Sequence, residues 1–254
     1  MNKKFKKLVR YNIIVGLVLI VQGVIMWLAS GIKDFALPIT SNYLQWNEAL
    51  GFPVTTIKNI GEIRIGFLVA AFLLLSGLFL IMSATIFNKT YKKWISEGKN
   101  LFRWIEYSIT SSLMIVVIAL LCGIYDLSSL IMIAGLNACM ILFGWMMEVH
   151  NQTTKKVNWT SFLFGCFAGV IPWVVMGLYF FNAIGSNSES VPTFVYFIFW
   201  SLFVFFNIFA INMVLQYKKV GKWKDYIYGE YAYITLSLVA KALLAWQVWA
   251  GTLR

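Results

Sequence analysis

The chain has 254 residues, of which 60% are hydrophobic and only 12% are charged, with a mean hydropathy of +0.77. This composition excludes an ordinary soluble domain and indicates a polytopic protein whose surroundings are the lipid bilayer. The net charge of +11 would suggest nucleic acid as a partner in a soluble protein. In a membrane protein, basic residues in short loops set the topology instead, so we expect no nucleic-acid partner.

Seven apolar segments, each long enough to cross a bilayer, follow one another along the chain. The first is too long for the apolar core of a signal peptide, and we interpret it as an uncleaved helix. Pro172 should kink the fifth. The long loop 31–61 contains the β-leaning piece FPVTTI and predicts a small hairpin or a short helix. The sequence thus predicts an all-α membrane protein, one domain over residues 1–254, with spans at residues 8–30, 62–87, 99–122, 127–149, 159–181, 191–217 and 231–253.

The basic residues are distributed unevenly between the two sides of the membrane. If the N-terminus is cytoplasmic, 16 of the 21 lysines and arginines fall on the inner side and 4 on the outer side, with Lys241 the remaining one. Short cytoplasmic loops carry an excess of Lys and Arg. The pattern therefore predicts a multi-pass protein of the cell membrane with its N-terminus inside and its C-terminus outside.

Few residues that could carry catalysis or bind a metal are present. The three cysteines form no C-x-x-C pattern, and His150 is the single histidine. These counts disfavour a transition-metal site, and no nucleophile–base pair is evident. We therefore expect no metal and no enzymatic activity of the chain itself.

Lys241 lies near the middle of the last apolar segment. Its backbone is roughly 15 Å from the outer end of that helix, too far for the side chain to reach the membrane surface. A charge at such depth costs about 2.5–3.5 kcal/mol on insertion scales, which makes a functional role the default hypothesis. Two uses are open: an ion pair with a buried carboxylate, or a Schiff base with a carbonyl ligand.

Glu106 is the acidic residue that lies well within a predicted span, while the others fall in loops or at helix ends. Counted from the outer side, it lies at roughly 24 Å, and the Lys241 amine at roughly 21 Å. Glu106 could therefore be the counterion of Lys241, or it could cap its own helix and meet Arg103. Ser237 and Thr110 lie one turn from Lys241 and Glu106, where their hydroxyls could extend a network or bond to the backbone.

Several segments resemble the heliorhodopsins, a family of retinal proteins with inverted topology. SLVAKALLAWQVWAG is similar to the last helix of that family, and FRWIEYSITSS, GLNACMILFGW, GCFAGVIPW, FNIFA and LQYKKVGKW resemble its third to sixth helices in the same order. The resemblance covers nearly the whole chain. It implies a rhodopsin-like seven-helix bundle, a cytoplasmic N-terminus, a small β element in the first outer loop and a homodimer.

The resemblance also implies the cofactor and its site. It implies all-trans retinal on Lys241 as a protonated Schiff base, with Glu106 as the sole carboxylate counterion and Ser237 beside it. Leu19 and Leu80 stand where some relatives carry histidines, so no imidazole there can take the proton. Further residues are expected around the polar cavity or the retinal pocket: Asn12, Gln22, Ser76, Tyr107, Thr110, Ser112, Asn137, Met140, Phe206 and Trp246.

The function expected from this resemblance is light sensing. Retinal would be the cofactor, and a slow photocycle would signal to an unknown cytoplasmic partner without net ion transport. One alternative is a light-driven or light-gated ion transporter, for which the chain offers no outward carboxylate relay. A second is a light-regulated partner of a membrane or cytoplasmic enzyme.

Overall fold

The structure is a computed structural model that describes residues 3–32, 35–186 and 191–253. Within these residues, seven helices are long and apolar enough to cross a membrane, which confirms the predicted bundle. A short additional helix, a two-stranded sheet, a 3₁₀ turn over Gly221–Lys224 and a π-helical turn over Trp249–Leu253 complete the described fold. The helices are α1 Lys3–Ile32, α2 Ile65–Ala84, α3 Asn88–Ser96, α4 Leu101–Leu121, α5 Leu127–Asn151, α6 Thr160–Ser186, α7 Thr193–Tyr217 and α8 Tyr226–Val248.

The loop between α1 and α2 forms an antiparallel hairpin, β1 Ala36–Asn47 and β2 Phe52–Arg64. A small hairpin was one of the two structures predicted for this loop. The register pairs Ala36 with Arg64 and shifts between Ile39 and Thr40. The hairpin is tied to the bundle because Thr40 N donates to the Tyr125 carbonyl at 2.9 Å. We call this side of the bundle the hairpin end.

The opposite side carries α3 and most of the described lysines, and we call it the basic end. Helix α3 was missed by the hydropathy analysis because it is short and lies in a basic loop. It forms since Tyr91 and Ile95, one turn apart, are buried while Lys92 and Lys93 are exposed. Burial raises the pKa of Tyr91 to about 12. That the basic end faces the cytoplasm remains a prediction.

Some predicted span boundaries are wrong by several residues. The second span begins at Ile65 rather than residue 62, because Glu62 to Arg64 belong to β2. The last begins at Tyr226 rather than residue 231, because the Asp225 side chain accepts from Ile227 N and caps the helix there. Lys33 and Arg254, counted above on the outer side, lie outside the described residues.

Helices α1 and α2 approach closely. A Cβ added at Gly77 would lie 2.6 Å from the Gly16 carbonyl oxygen, so only glycine permits this distance. Helix α8 packs against α1, α2 and α7, and α4 packs against α2 and α5. Side chains from α2, α4 and α8 therefore meet in the interior of the bundle.

Candidate functional site

The amine of Lys241 is buried in the bundle, with its side chain 3% exposed. It donates to Glu106 Oε1 at 2.8 Å and to Ser237 Oγ at 2.6 Å. Lys241 and Ser237 lie one turn apart on α8, whereas Glu106 comes from α4. The structure thus brings together the lysine and the carboxylate whose depths in the membrane agree.

Glu106 Oε1 also accepts hydrogen bonds from two hydroxyls. Ser76 Oγ of α2 donates at 2.5 Å, and Thr110 Oγ1 donates at 2.8 Å from one turn along α4. The competing interpretation, a cap that meets Arg103, is wrong. Asn100 caps α4 by accepting from Arg103 N, and Arg103 pairs with other carboxylates.

Tyr107 separates the ion pair from the aromatic interior. Its hydroxyl donates to the Tyr233 carbonyl at 2.9 Å. The Lys241 amine lies 5.1 Å from the centre of its ring, within range of a cation–π contact. Tyr107 also lines the cavities on both sides of the lysine.

An apolar cavity begins at the Lys241 amine and continues between α4, α5, α6 and α7. The part next to the amine is small, and it shares Tyr107, Met140 and Phe206 with a larger cavity of about 390 Å³. Ligand pockets are typically about 300–1,000 Å³ and mostly apolar. Trp173 contacts the Phe206 ring edge-on at 5.5 Å and forms part of the far wall.

This arrangement fits retinal, an elongated apolar aldehyde. The cavity wall is aromatic and aliphatic, and the amine that would react with the aldehyde lies at one end of it. Gly169 keeps the wall open beside Met140, since a Cβ there would lie 2.2 Å from the Met140 sulfur. Among the residues expected to hold retinal, Tyr107, Met140 and Phe206 thus lie where an apolar ligand attached to Lys241 would contact them.

Asn137 and Ser112 lie behind the cavity wall. Asn137 Nδ2 donates to Ser111 Oγ at 2.7 Å and to Ser112 Oγ at 3.1 Å. Ser112 Oγ also lies 3.1 Å from the Ala134 carbonyl oxygen. Ser111 is the member of this group that lines the cavity. The group therefore joins α4 to α5 beside the ligand space, and sequence analysis had not selected Ser111.

Gln22 and Trp246 are placed elsewhere. Trp246 Nε1 donates to Gln22 Oε1 at 3.1 Å, and the tryptophan is 40% exposed on the outside of the bundle. Neither residue lines the two apolar cavities beside Lys241. Their contact joins α8 to α1. Neither side chain is therefore placed to contact a ligand in those cavities.

A polar cavity lies on the other side of the ion pair, toward the basic end. It is about 30 Å³, enough for a water molecule, and its lining includes Asn12, Leu80, Glu106 and Glu230. Asn12 Nδ2 donates to the Tyr91 hydroxyl at 2.9 Å, and within the described residues Asn12 Oδ1 has no partner. Leu80 contributes an apolar side chain to this lining.

The structure also contains a second buried ion cluster that sequence analysis missed. Arg103 donates through one terminal nitrogen to Glu230 and through the other to Glu148. All three side chains are almost fully buried. The two carboxylates lie within about one turn of a helix end, as predicted, because α5 ends at Asn151 and α8 begins at Tyr226. What the sequence did not indicate is that both are buried there.

Other side chains add hydrogen bonds to the two carboxylates of this Arg103 cluster. Asn100 Nδ2 donates to Glu230 Oε2 at 2.6 Å, and Trp104 Nε1 donates to Glu148 Oε2 at 2.6 Å. The guanidinium carbon lies 4.0 Å from the centre of the Tyr233 ring. The contacts join α4, α5 and α8 at the basic end, where a buried charge without a partner would be costly.

Replacing Arg103 should destabilise the bundle strongly. Arg103→Gln leaves two buried carboxylates without their cation, and breaking such a group costs about 3–5 kcal/mol. The matched control is Lys99→Gln, because Lys99 pairs with Glu97 at 2.7 Å with both side chains about one-third exposed. Thermal unfolding in one detergent compares the two variants. Equal midpoints of thermal unfolding for the two variants would show that the cluster contributes no more to stability than a surface ion pair.

Comparison with known proteins identifies the family. The family model described as heliorhodopsin matches residues 8–253, which is nearly the whole chain. A search of curated proteins found no match. The long match agrees with the seven membrane-length helices and with a lysine amine at the end of an apolar cavity. The chain belongs to the heliorhodopsin family of retinal-binding rhodopsin photoreceptors.

Proposed function

We propose that this protein is a light sensor that holds all-trans retinal on Lys241 as a protonated Schiff base and signals without net ion transport. The observation that carries the proposal is the buried Lys241 amine, paired with Glu106 at 2.8 Å and open to an apolar cavity. When bound, retinal supplies the absorption of visible light and the isomerisation that follows. Tyr107, Met140 and Phe206 would hold it against the wall.

Glu106 would act as the counterion. Its carboxylate lies close enough to balance a positive nitrogen on Lys241, where an unpaired charge would be expensive. Ser76 and Thr110 hold the same oxygen in place from α2 and α4. Ser237 accepts from the amine and adds no second negative charge. One carboxylate would therefore balance the charge by itself.

The polar groups around the lysine are unequally distributed, and this supports a sensor rather than a transporter. Among the described residues, the buried carboxylates are Glu106, Glu148 and Glu230, and all lie toward the basic end. Toward the hairpin end, Val117, Ala245 and Val248 are fully buried and apolar. A dry apolar layer is a steep obstacle to a moving charge. A proton that leaves the site would therefore meet carboxylate acceptors toward the basic end and apolar side chains toward the hairpin end.

A homodimer and a cytoplasmic partner belong to the same proposal. Large apolar side chains on the hairpin are exposed, including Leu44 at 68% and Ile57 at 68%. Patches of this kind are typical of protein interfaces. They support a dimer contact through the hairpin. The signalling partner would then bind at the basic end. We propose that the chain acts through this partner and is not itself an enzyme.

Lys241→Ala should abolish pigment formation. Among the described residues, Lys241 is the only amine that lines the apolar cavity, so its loss should leave no visible absorption band after retinal is added. Lys155→Ala is the control, because Lys155 is an exposed loop residue and its loss should leave the band unchanged. Absorption spectra after reconstitution measure both. A Lys241→Ala pigment that hydroxylamine bleaches like the native one would contradict the assignment.

Glu106→Gln should make the visible band sensitive to pH. Without the carboxylate, the positive nitrogen loses its stabilisation, and the band should disappear at a pH about one to three units lower. The protonated pigment that remains should absorb further to the red, because the counterion stabilises the ground state more than the excited state. The control is Glu97→Gln, on the exposed loop. Identical pH titrations for both variants would remove Glu106 from the site.

Illumination should drive no sustained current. The expected result in voltage-clamped cells is a light response no larger than that of Lys241→Ala, and an unbuffered suspension should show no lasting pH change. The reason is the apolar layer formed by Val117, Ala245 and Val248. A steady photocurrent that is lost in Lys241→Ala would favour the transporter instead.

A further inference from the structure

A groove of about 400 Å³ lies between α7 and α8 on the outside of the bundle, near the basic end. Ile211 and Leu215 of α7 form one wall, and Ala232 and Leu236 of α8 form the other. Because both helices are long and apolar enough to cross a membrane, we expect the groove between them to face lipid. It is separate from the cavities that surround Lys241.

The connection between the two helices closes the groove at the basic end. A 3₁₀ turn, Gly221–Lys224, carries Trp223, whose Nε1 donates to Asn212 Oδ1 at 2.7 Å. Asn212 is 3% exposed, so this bond anchors the turn to a buried side chain of α7. The Trp223 and Tyr228 rings contact each other edge-on at 5.0 Å. The groove is therefore preformed, which lowers the ordering cost of binding.

Positive charge is concentrated at this closed end. Lys218, Lys219, Lys222 and Lys224 are all exposed. The nearby acid, Asp225, is already engaged, because it caps α8 and forms an ion pair with Lys4 at 2.7 Å. The lining of the groove contains no carboxylate. Basic residues next to a membrane helix attract anionic lipids, by about 1 kcal/mol each.

We propose that this groove binds an anionic phospholipid, with an acyl chain between α7 and α8 and the phosphate among the lysines of the turn. Tryptophan and tyrosine favour the level of the lipid headgroups, so Trp223 and Tyr228 at the closed end of the groove fit a headgroup bound there. The apolar walls favour a lipid over a free anion, and the lysines favour a lipid with a negatively charged headgroup. The bound lipid braces the two helices that carry Phe206 and Lys241, and its binding does not depend on retinal.

The test measures lipid binding to the purified full chain by native mass spectrometry. Dioleoylphosphatidylglycerol and dioleoylphosphatidylcholine are titrated separately, and the first should bind more tightly. The double variant Lys219→Gln/Lys222→Gln should weaken phosphatidylglycerol binding roughly 30-fold. The matched control is Lys155→Gln/Lys156→Gln, which removes the same charge from another loop at the basic end and should leave the affinity unchanged.

A second variant tests the groove itself. Ala232→Trp keeps every lysine but fills the space between the walls, so it should reduce phosphatidylglycerol binding as well. Ala232→Leu replaces it if thermal unfolding shows that the tryptophan variant is not folded. Equal binding of both lipids, equal effects of the two lysine pairs, or an Ala232 variant with native affinity would each overturn the proposal. Competition by inorganic phosphate alone would assign the site to a free anion and overturn it too.

Discussion

A positive amine inside a membrane must be neutralised, and the arrangement of this bundle depends on that constraint. Lys241 of α8 is paired with Glu106 of α4, and Ser76 of α2 holds the same carboxylate oxygen. Apolar side chains contact lipid almost as favourably as they contact one another, so they select helix partners weakly. Polar contacts select strongly, because a wrong neighbour would leave a charge unpaired. The ion pair therefore specifies how three helices are rotated toward each other.

The Arg103 cluster applies the same physics nearer the basic end. Arg103 between Glu148 and Glu230 joins α4, α5 and α8, so two buried ionic groups hold α4 and α8 together at different depths. Between them lies the polar cavity, and beyond Lys241 the core is apolar. The interior of the bundle thus has one polar side and one apolar side. This polarity, rather than the number of charged residues, supports a sensor in the proposed function.

Much of the candidate site could be predicted from the sequence alone. Helix rise per residue is constant, so depth along a span can be counted, and counting placed Glu106 level with Lys241. The resemblance to heliorhodopsins then selected Tyr107, Met140 and Phe206, which line the cavity beside the amine. It also selected Gln22 and Trp246, which contact each other away from that cavity. A motif match transfers a position along the helix more reliably than it transfers the neighbours of a side chain.

The sequence by itself determined the seven spans, the hairpin as one of two options, the buried lysine and the carboxylate at its depth. Hydropathy and helix geometry are local properties, and they do not depend on which helices are neighbours. Only the tertiary structure decided that Arg103 pairs with Glu148 and Glu230 rather than Glu106. It also placed Trp223 on Asn212 to close a groove between α7 and α8. These contacts join residues far apart in the chain, and they exist because helix packing brings particular faces together.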